Sequence, residues 1–123
     1  MPDLNWQSLN LMQQFDVLRG APFAHLAFLS EGKPALVPMY YQLEVDRSQV
    51  ILHLTCLTTG RTYAALQGGG PVCLEFDLPG CAWLDTVLVS GHASVGLRDE
   101  PRHAAELRIK AARITGRRYF TPQ

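Results

Sequence analysis

Apolar residues recur with a helical period near the start of the chain. Leu11, Phe15 and Leu18 fall at i, i+4 and i+7, and Met12 widens the stripe. The pattern predicts a helix over 4–19, capped by Asp3 or Asn5 and ended by Gly20, with Pro22 blocking continuation. The period then shortens toward two. The runs "FAHLAFLS" (23–30), "ALVPMYYQLEV" (35–45), "VILHLTCL" (50–57), "VCLEFDL" (72–78) and "WLDTVLVSGHASVGL" (83–97) predict five strands. "EGKP" and "DRSQ" are turn sequences, and Gly32 is free to take a positive φ. Pro38 cannot donate to a ladder, so the second strand needs an edge, a bulge or an open side there. "GRTYAALQ" (60–67) predicts a short helix, capped by Thr58 or Thr59 and ended by "GGGP". Gly91 marks a bulge or bend in the fifth strand. The segment 104–114 fits two templates: propensity favours a helix, whereas Leu107, Ile109 and Ala111 alternate as in a strand. Five or six short strands joined by tight turns argue for an antiparallel barrel or sandwich.

Composition narrows the class. The 123 residues are 47% hydrophobic and 18% charged, which predicts one folded domain over 1–123, small enough to gain stability from a second copy. The formal net charge is zero, so no surplus of Lys and Arg points to nucleic acid or an anionic membrane. The first twenty residues lack the basic start, apolar core and small-residue site of a secretory signal, and no apolar run approaches the ~20 residues of a membrane helix. Cys56, Cys73 and Cys81 are odd in number and show no CxxC spacing, which predicts reduced thiols and a cytoplasmic location.

Candidate chemistry is sparse. His25, His53, His92 and His103 show no HxH or HxxxH spacing and no cysteine at ligand distance, so no metal site is predicted. There is no GxSxG, GxGxxG or GxxxxGK[ST] motif. What remains is "LTTGRTYAAL" (57–66). Its two threonine hydroxyls, turn amides and Arg61 suit a phosphate, but they equally suit a capped helix with a solvated arginine.

The order of these motifs resembles a known family. "G-x-P…VP-x-x-Y", a strand ending at "GR", a short helix closing before "PV", "CLEFD" and "TVLVSGHA" are similar to the FMN-binding split β-barrel proteins. These form the pyridoxamine 5′-phosphate oxidase-like superfamily, and the nitroimidazole-resistance-type flavoproteins are the nearest branch. The resemblance covers residues 20–118. It implies a mainly-β, six-stranded antiparallel split barrel over 22–118, with an N-terminal helix and one short helix between strands 3 and 4. On this reading "ARITGRR" (112–118) is the closing strand.

The resemblance also implies FMN at the interface of a homodimer and a small-molecule substrate. Val37, Pro38, Met39 and Tyr40 would contact the flavin ring, partly through backbone groups. Thr55 and Cys56 would line the path to the phosphate, and Thr58, Thr59, Gly60, Arg61 and Thr62 would hold it. Thr86 would reach across from the other subunit, with Trp83 nearby. Tyr40, Tyr41 and His53 are the possible proton donors; no catalytic residue is assigned. The family commonly carries arginine then lysine at the phosphate, whereas this chain has Arg61 then Thr62. The implied activity is that of an FMN-dependent oxidoreductase. A flavin, deazaflavin or haem binding module without turnover is the alternative on the same fold.

Overall fold

The computed structural model describes residues 5–122. The elements run β1 (Trp6–Ser8), α1 (Leu11–Gly20), β2 (Ala24–Ser30), β3 (Lys33–Met39), β4 (Gln42–Asp46), β5 (Gln49–Leu57), α2 (Arg61–Leu66), β6 (Gly70–Pro79), β7 (Trp83–Asp99) and β8 (Ala104–Phe120). A short 3-10 turn, Glu100–Arg102, links the last two strands. All pairings are antiparallel, in the order β3-β2-β6-β7-β8-β5-β4, with β1 added on β8. Among the described residues the strand count is therefore eight rather than six. The sheet is not closed, and its two edges are β3 and β4.

Local chemistry explains the hairpins. Glu31 and Gly32 both take left-handed φ values, 52° and 77°, in the two-residue turn between Ser30 and Lys33. Arg47 and Ser48 do the same, at 48° and 70°, between Asp46 and Gln49. Two left-handed residues give a turn whose twist matches that of the flanking strands. Alternate residues of the strands then face one core, among them Leu26, Leu52, Leu74, Val89 and Leu107, each fully buried. That one core is fed from β2, β5, β6, β7 and β8 requires the sheet to curl on itself. The expected irregularity at Gly91 is present: Ser90 pairs with Arg113 and Gly91 with Ala111, so Ala112 bulges from β8. A Cβ at Gly91 would lie 2.4 Å from the Lys110 carbonyl oxygen, so no larger residue fits this bend.

Three local expectations change, and one open choice is settled. The first helix starts at Leu11, not residue 4, because Trp6–Ser8 pairs with β8 and Leu9 is buried in the core. Asn10 caps it in a reciprocal box with Gln13, and Asn5 uses its carbonyl to receive the Phe120 amide. Asp3 lies outside the described residues. Val17 and Leu18 form the buried stripe, while Leu11 and Met12 stay 68% and 78% exposed. Next, 35–45 is two strands. β3 stays with β2 and β4 with β5, so the chain crosses the opening of the sheet at Tyr40–Tyr41. The short helix lies between β5 and β6, and its cap is Gly60, with no side-chain hydrogen bond from a threonine. Finally, 104–120 is a strand throughout: pairing on both sides, with β5 and β7, overrides helical propensity.

Candidate functional site

The opening between β3 and β4 is walled by the residues that cross it. A cleft of about 520 Å³ is lined by Pro38, Met39, Tyr40, Tyr41, Gln42, His53, Thr55 and Glu106. Pro38 sits on the edge strand β3, where its missing N–H leaves a gap in the ladder face. Tyr41 is fixed. Its ring meets Phe76 edge-on at 4.8 Å, and its hydroxyl donates to the carbonyl oxygens of Leu18 and Ala21. Burial pushes its phenol above the ordinary value. Tyr40, by contrast, is 83% exposed.

A second cleft, of about 550 Å³, lies at the other end of β3. Arg61, Ala64 and Ala65 of α2 face Leu29, Ser30, Glu31, Lys33, Pro34 and Ala35 of the β2–β3 hairpin. β3 thus runs along both clefts, and Lys33 and Pro38 are five positions apart, a span of ~17 Å in a strand.

Other expected site residues fall differently. Cys56 faces the core, only 9% exposed, and burial raises its thiol above the ordinary value; Thr55, its neighbour, is exposed and lines the cleft. Val37 likewise packs against the core. The amide of Thr58 donates to the His103 carbonyl at 2.7 Å and that of Gly60 to the Leu57 carbonyl at 3.0 Å, so these two N–H groups are committed to the turn. Thr59 is exposed and Thr62 half-buried. Thr86 lies on the outer face of β7, where its hydroxyl donates to Asp77 at 2.8 Å, beside a small cleft of about 170 Å³ formed with Leu88, Thr115, Arg117 and Tyr119. Trp83 is stacked under Arg118, whose guanidinium lies 4.3 Å from the ring centroid.

The fold coincides with that of solved structures. One described as a 5-nitroimidazole antibiotic resistance protein from Bacteroides thetaiotaomicron superposes with a TM-score of 0.78 at 15% identity, covering 96% of this chain and 90% of that one. An FAD-binding protein from Mesorhizobium loti matches at 0.76 and 17% identity, over 92% and 97% of the two chains. One described as a pyridoxamine 5′-phosphate oxidase from Corynebacterium glutamicum matches at 0.70 and 16%, over 100% and 99%. The chain has the pyridoxamine 5′-phosphate oxidase-like split-barrel fold. No family model matches the sequence, and no curated protein matches it.

In this split barrel, spacing along the chain concealed two groups. One is His53, which receives a carboxylate on each ring nitrogen: Glu44 on Nε2 at 2.6 Å and Glu106 on Nδ1 at 3.1 Å. The hydrogen bond with Glu44 is the main cause that raises the imidazole above its ordinary value, opposed by burial and reinforced by Glu106. Arg108, directly opposite on β8, is the other charge at this position. The other group is His25, Glu75 and Asp77, whose ligand-type atoms lie within 4.8 Å of one another on β2 and β6. Burial first, and then the hydrogen bond and charge of Asp77, raise the Glu75 carboxyl. Neither group shows as a whole in the sequence: Glu106 joins His53 and Glu44 only when β5 pairs with β8, and His25 meets Glu75 and Asp77 only when β2 pairs with β6.

The His53 clamp has a testable pH signature. Its folded value lies above the unfolded one of about 6.5. The stability it adds is therefore fully present below about pH 6.5 and fades as pH rises through the raised folded value. Urea midpoints for wild type and His53→Gln, measured from pH 5 to 9, should converge at alkaline pH. A constant gap across that range would remove the clamp as the cause.

Proposed function

We propose that this protein is an FMN-dependent oxidoreductase of a small molecule, working as a homodimer in the cytoplasm. One observation carries the reading: the continuous wall of β3, which joins a ring-sized cleft at Pro38–Tyr41 to a cleft bearing Arg61 and Lys33. The residues present fit a flavin. Pro38, Met39 and Tyr40 would hold the ring, Thr55 would flank the ribityl chain, and Thr59, Arg61 and Thr62 would bind the phosphate. Solved structures of this fold described as FAD-binding, or as binding FAD and haem, support the flavin class. When bound, the flavin supplies two-electron transfer between a reduced donor and an acceptor, and the protein supplies position and electrostatics.

The chain's own groups divide the remaining tasks. Tyr41 is committed to the Leu18 and Ala21 carbonyls, and both nitrogens of His53 are engaged by carboxylates, so each serves to position the wall. Tyr40, exposed beside the opening, is the favoured proton donor of the three. The outer face of β2, β3 and β7 carries exposed Leu29, Leu36, Leu84 and Leu88, at 56%, 64%, 38% and 41% exposure. A second copy covering this face would bury that apolar surface and bring Thr86 to the partner's ring.

Purified protein should be a dimer and yellow, or should become yellow on titration with FMN, with absorption bands that bleach under dithionite. Protein that takes up neither FMN nor FAD would sink the reading. A carrier without turnover is the second reading, favoured by Thr62 standing where relatives are expected to hold a lysine. Bound flavin that no reduced nicotinamide or other donor can reduce would select it.

A further inference from the structure

Two cations share the cleft beside α2 with no carboxylate partner among the described residues. Among the described residues, the ion pairs use His25, His53, Arg102 and Arg118; Lys33 and Arg61 take part in none. Both nevertheless line the same cleft, where Glu31 is the only acidic side chain among the described residues. Like charges in one concavity repel, and an anion seated between them relieves that repulsion. The remaining walls leave space for one, since Pro34, Ala35, Ala64 and Ala65 are small. The backbone of Lys33 is held in place. It pairs with Ser30 across the tight turn, and strand alternation puts the residue on the same face of β3 as Ala35, the face that packs toward the core and α2.

We infer that Lys33 supplies the second positive charge at the phosphate end of the flavin, from β3 rather than from the position after Arg61. The inference rests on the flavin reading above. A phosphate monoester carries about −1.5 to −2 at pH 7, which one guanidinium under-neutralises and a guanidinium with an ammonium matches. Thr62 therefore does not leave the phosphate with a single cation. Lys33 also makes the site select for a phosphorylated flavin, because riboflavin offers these two charges nothing to bind.

The test compares FMN and riboflavin by fluorescence titration of wild type, Lys33→Gln, Lys33→Arg and Lys110→Gln. Lys110 is an exposed strand residue on β8 outside both clefts. Lys33→Gln should weaken FMN about tenfold, the lower end of the range for a charged hydrogen bond, with riboflavin changed less than about twofold. Lys33→Arg should retain most of the affinity, and Lys110→Gln all of it. Unchanged FMN binding in Lys33→Gln, or equal losses for FMN and riboflavin, would overturn the assignment while leaving the flavin reading intact. If wild type binds no flavin, that reading fails, and inorganic phosphate then decides the subsite. Amide shifts at Lys33 and Arg61 that vanish in Lys33→Gln support it, and their absence in wild type overturns it.

Discussion

Arg61→Ala weakens FMN binding about a hundredfold and leaves riboflavin within about twofold. The size follows from chemistry. A guanidinium gives a phosphate two parallel N–H···O bonds, and hydrogen bonds to charged groups contribute roughly 1.5–3 kcal/mol, with a bidentate pair toward the top of that range. Arg61 is exposed at the start of α2 and joins no ion pair among the described residues, so removing it breaks no internal bridge. Its loss should therefore appear in ligand affinity and not in the unfolding midpoint. The effect should also shrink at high salt, because an open cleft is screened over ~10 Å at 0.1 M. Fluorescence titration of both flavins at low and high ionic strength checks this. A loss shared equally by riboflavin would move the phosphate elsewhere and reduce Arg61 to a helix-start residue.

Phe76→Ala is expected to cost about 3–5 kcal/mol, a large fraction of the roughly 5–15 kcal/mol that holds a domain of this kind together. Phe76 is fully buried at the centre of β6, where its ring is the surface on which Tyr41 rests edge-on. Truncation leaves a cavity that the surrounding strands cannot collapse into, since β6 is bonded to β2 on one side and β7 on the other. The second consequence reaches the site. Tyr41 anchors the segment that crosses the opening of the sheet, so a loosened ring should also lower flavin affinity. Urea unfolding of Phe76→Ala beside Leu36→Ala, which alters an exposed side chain, gives the comparison. A loss below about 1 kcal/mol in Phe76→Ala would show that the core repacks, and that Tyr41 is held by its hydroxyl alone.

Much of this was legible along the chain. The runs at 23–30, 50–57, 72–78 and 83–97 appear as strands because alternation and β-branched residues report local burial directly. Gly91 announced a bulge because no larger side chain fits against the facing backbone. The phosphate-end candidate at Arg61 was visible because a strand, a glycine and a helix lie consecutively. Other features were not legible. The stripe from Leu11 promised burial that Leu11 and Met12 do not receive, because the preceding residues pair with β8 and delay the helix. "ALVPMYYQLEV" reads as a single strand by propensity, and nothing local shows that its halves bond to different neighbours.

The amino-acid sequence by itself determined the strand period of 23–30, 50–57, 72–78 and 83–97, the short helix after Gly60 and the turns at 31–34 and 46–49, since these depend on neighbours a few positions away. The tertiary structure alone decided which charges meet. Lys33 and Arg61 line one cleft because the β2–β3 hairpin lies beside α2, and His53 sits between Glu44 and Glu106 because β5 lies between β4 and β8. Electrostatic and hydrogen-bonding partners act over a few ångströms in space, and strand order, not distance along the chain, sets that separation.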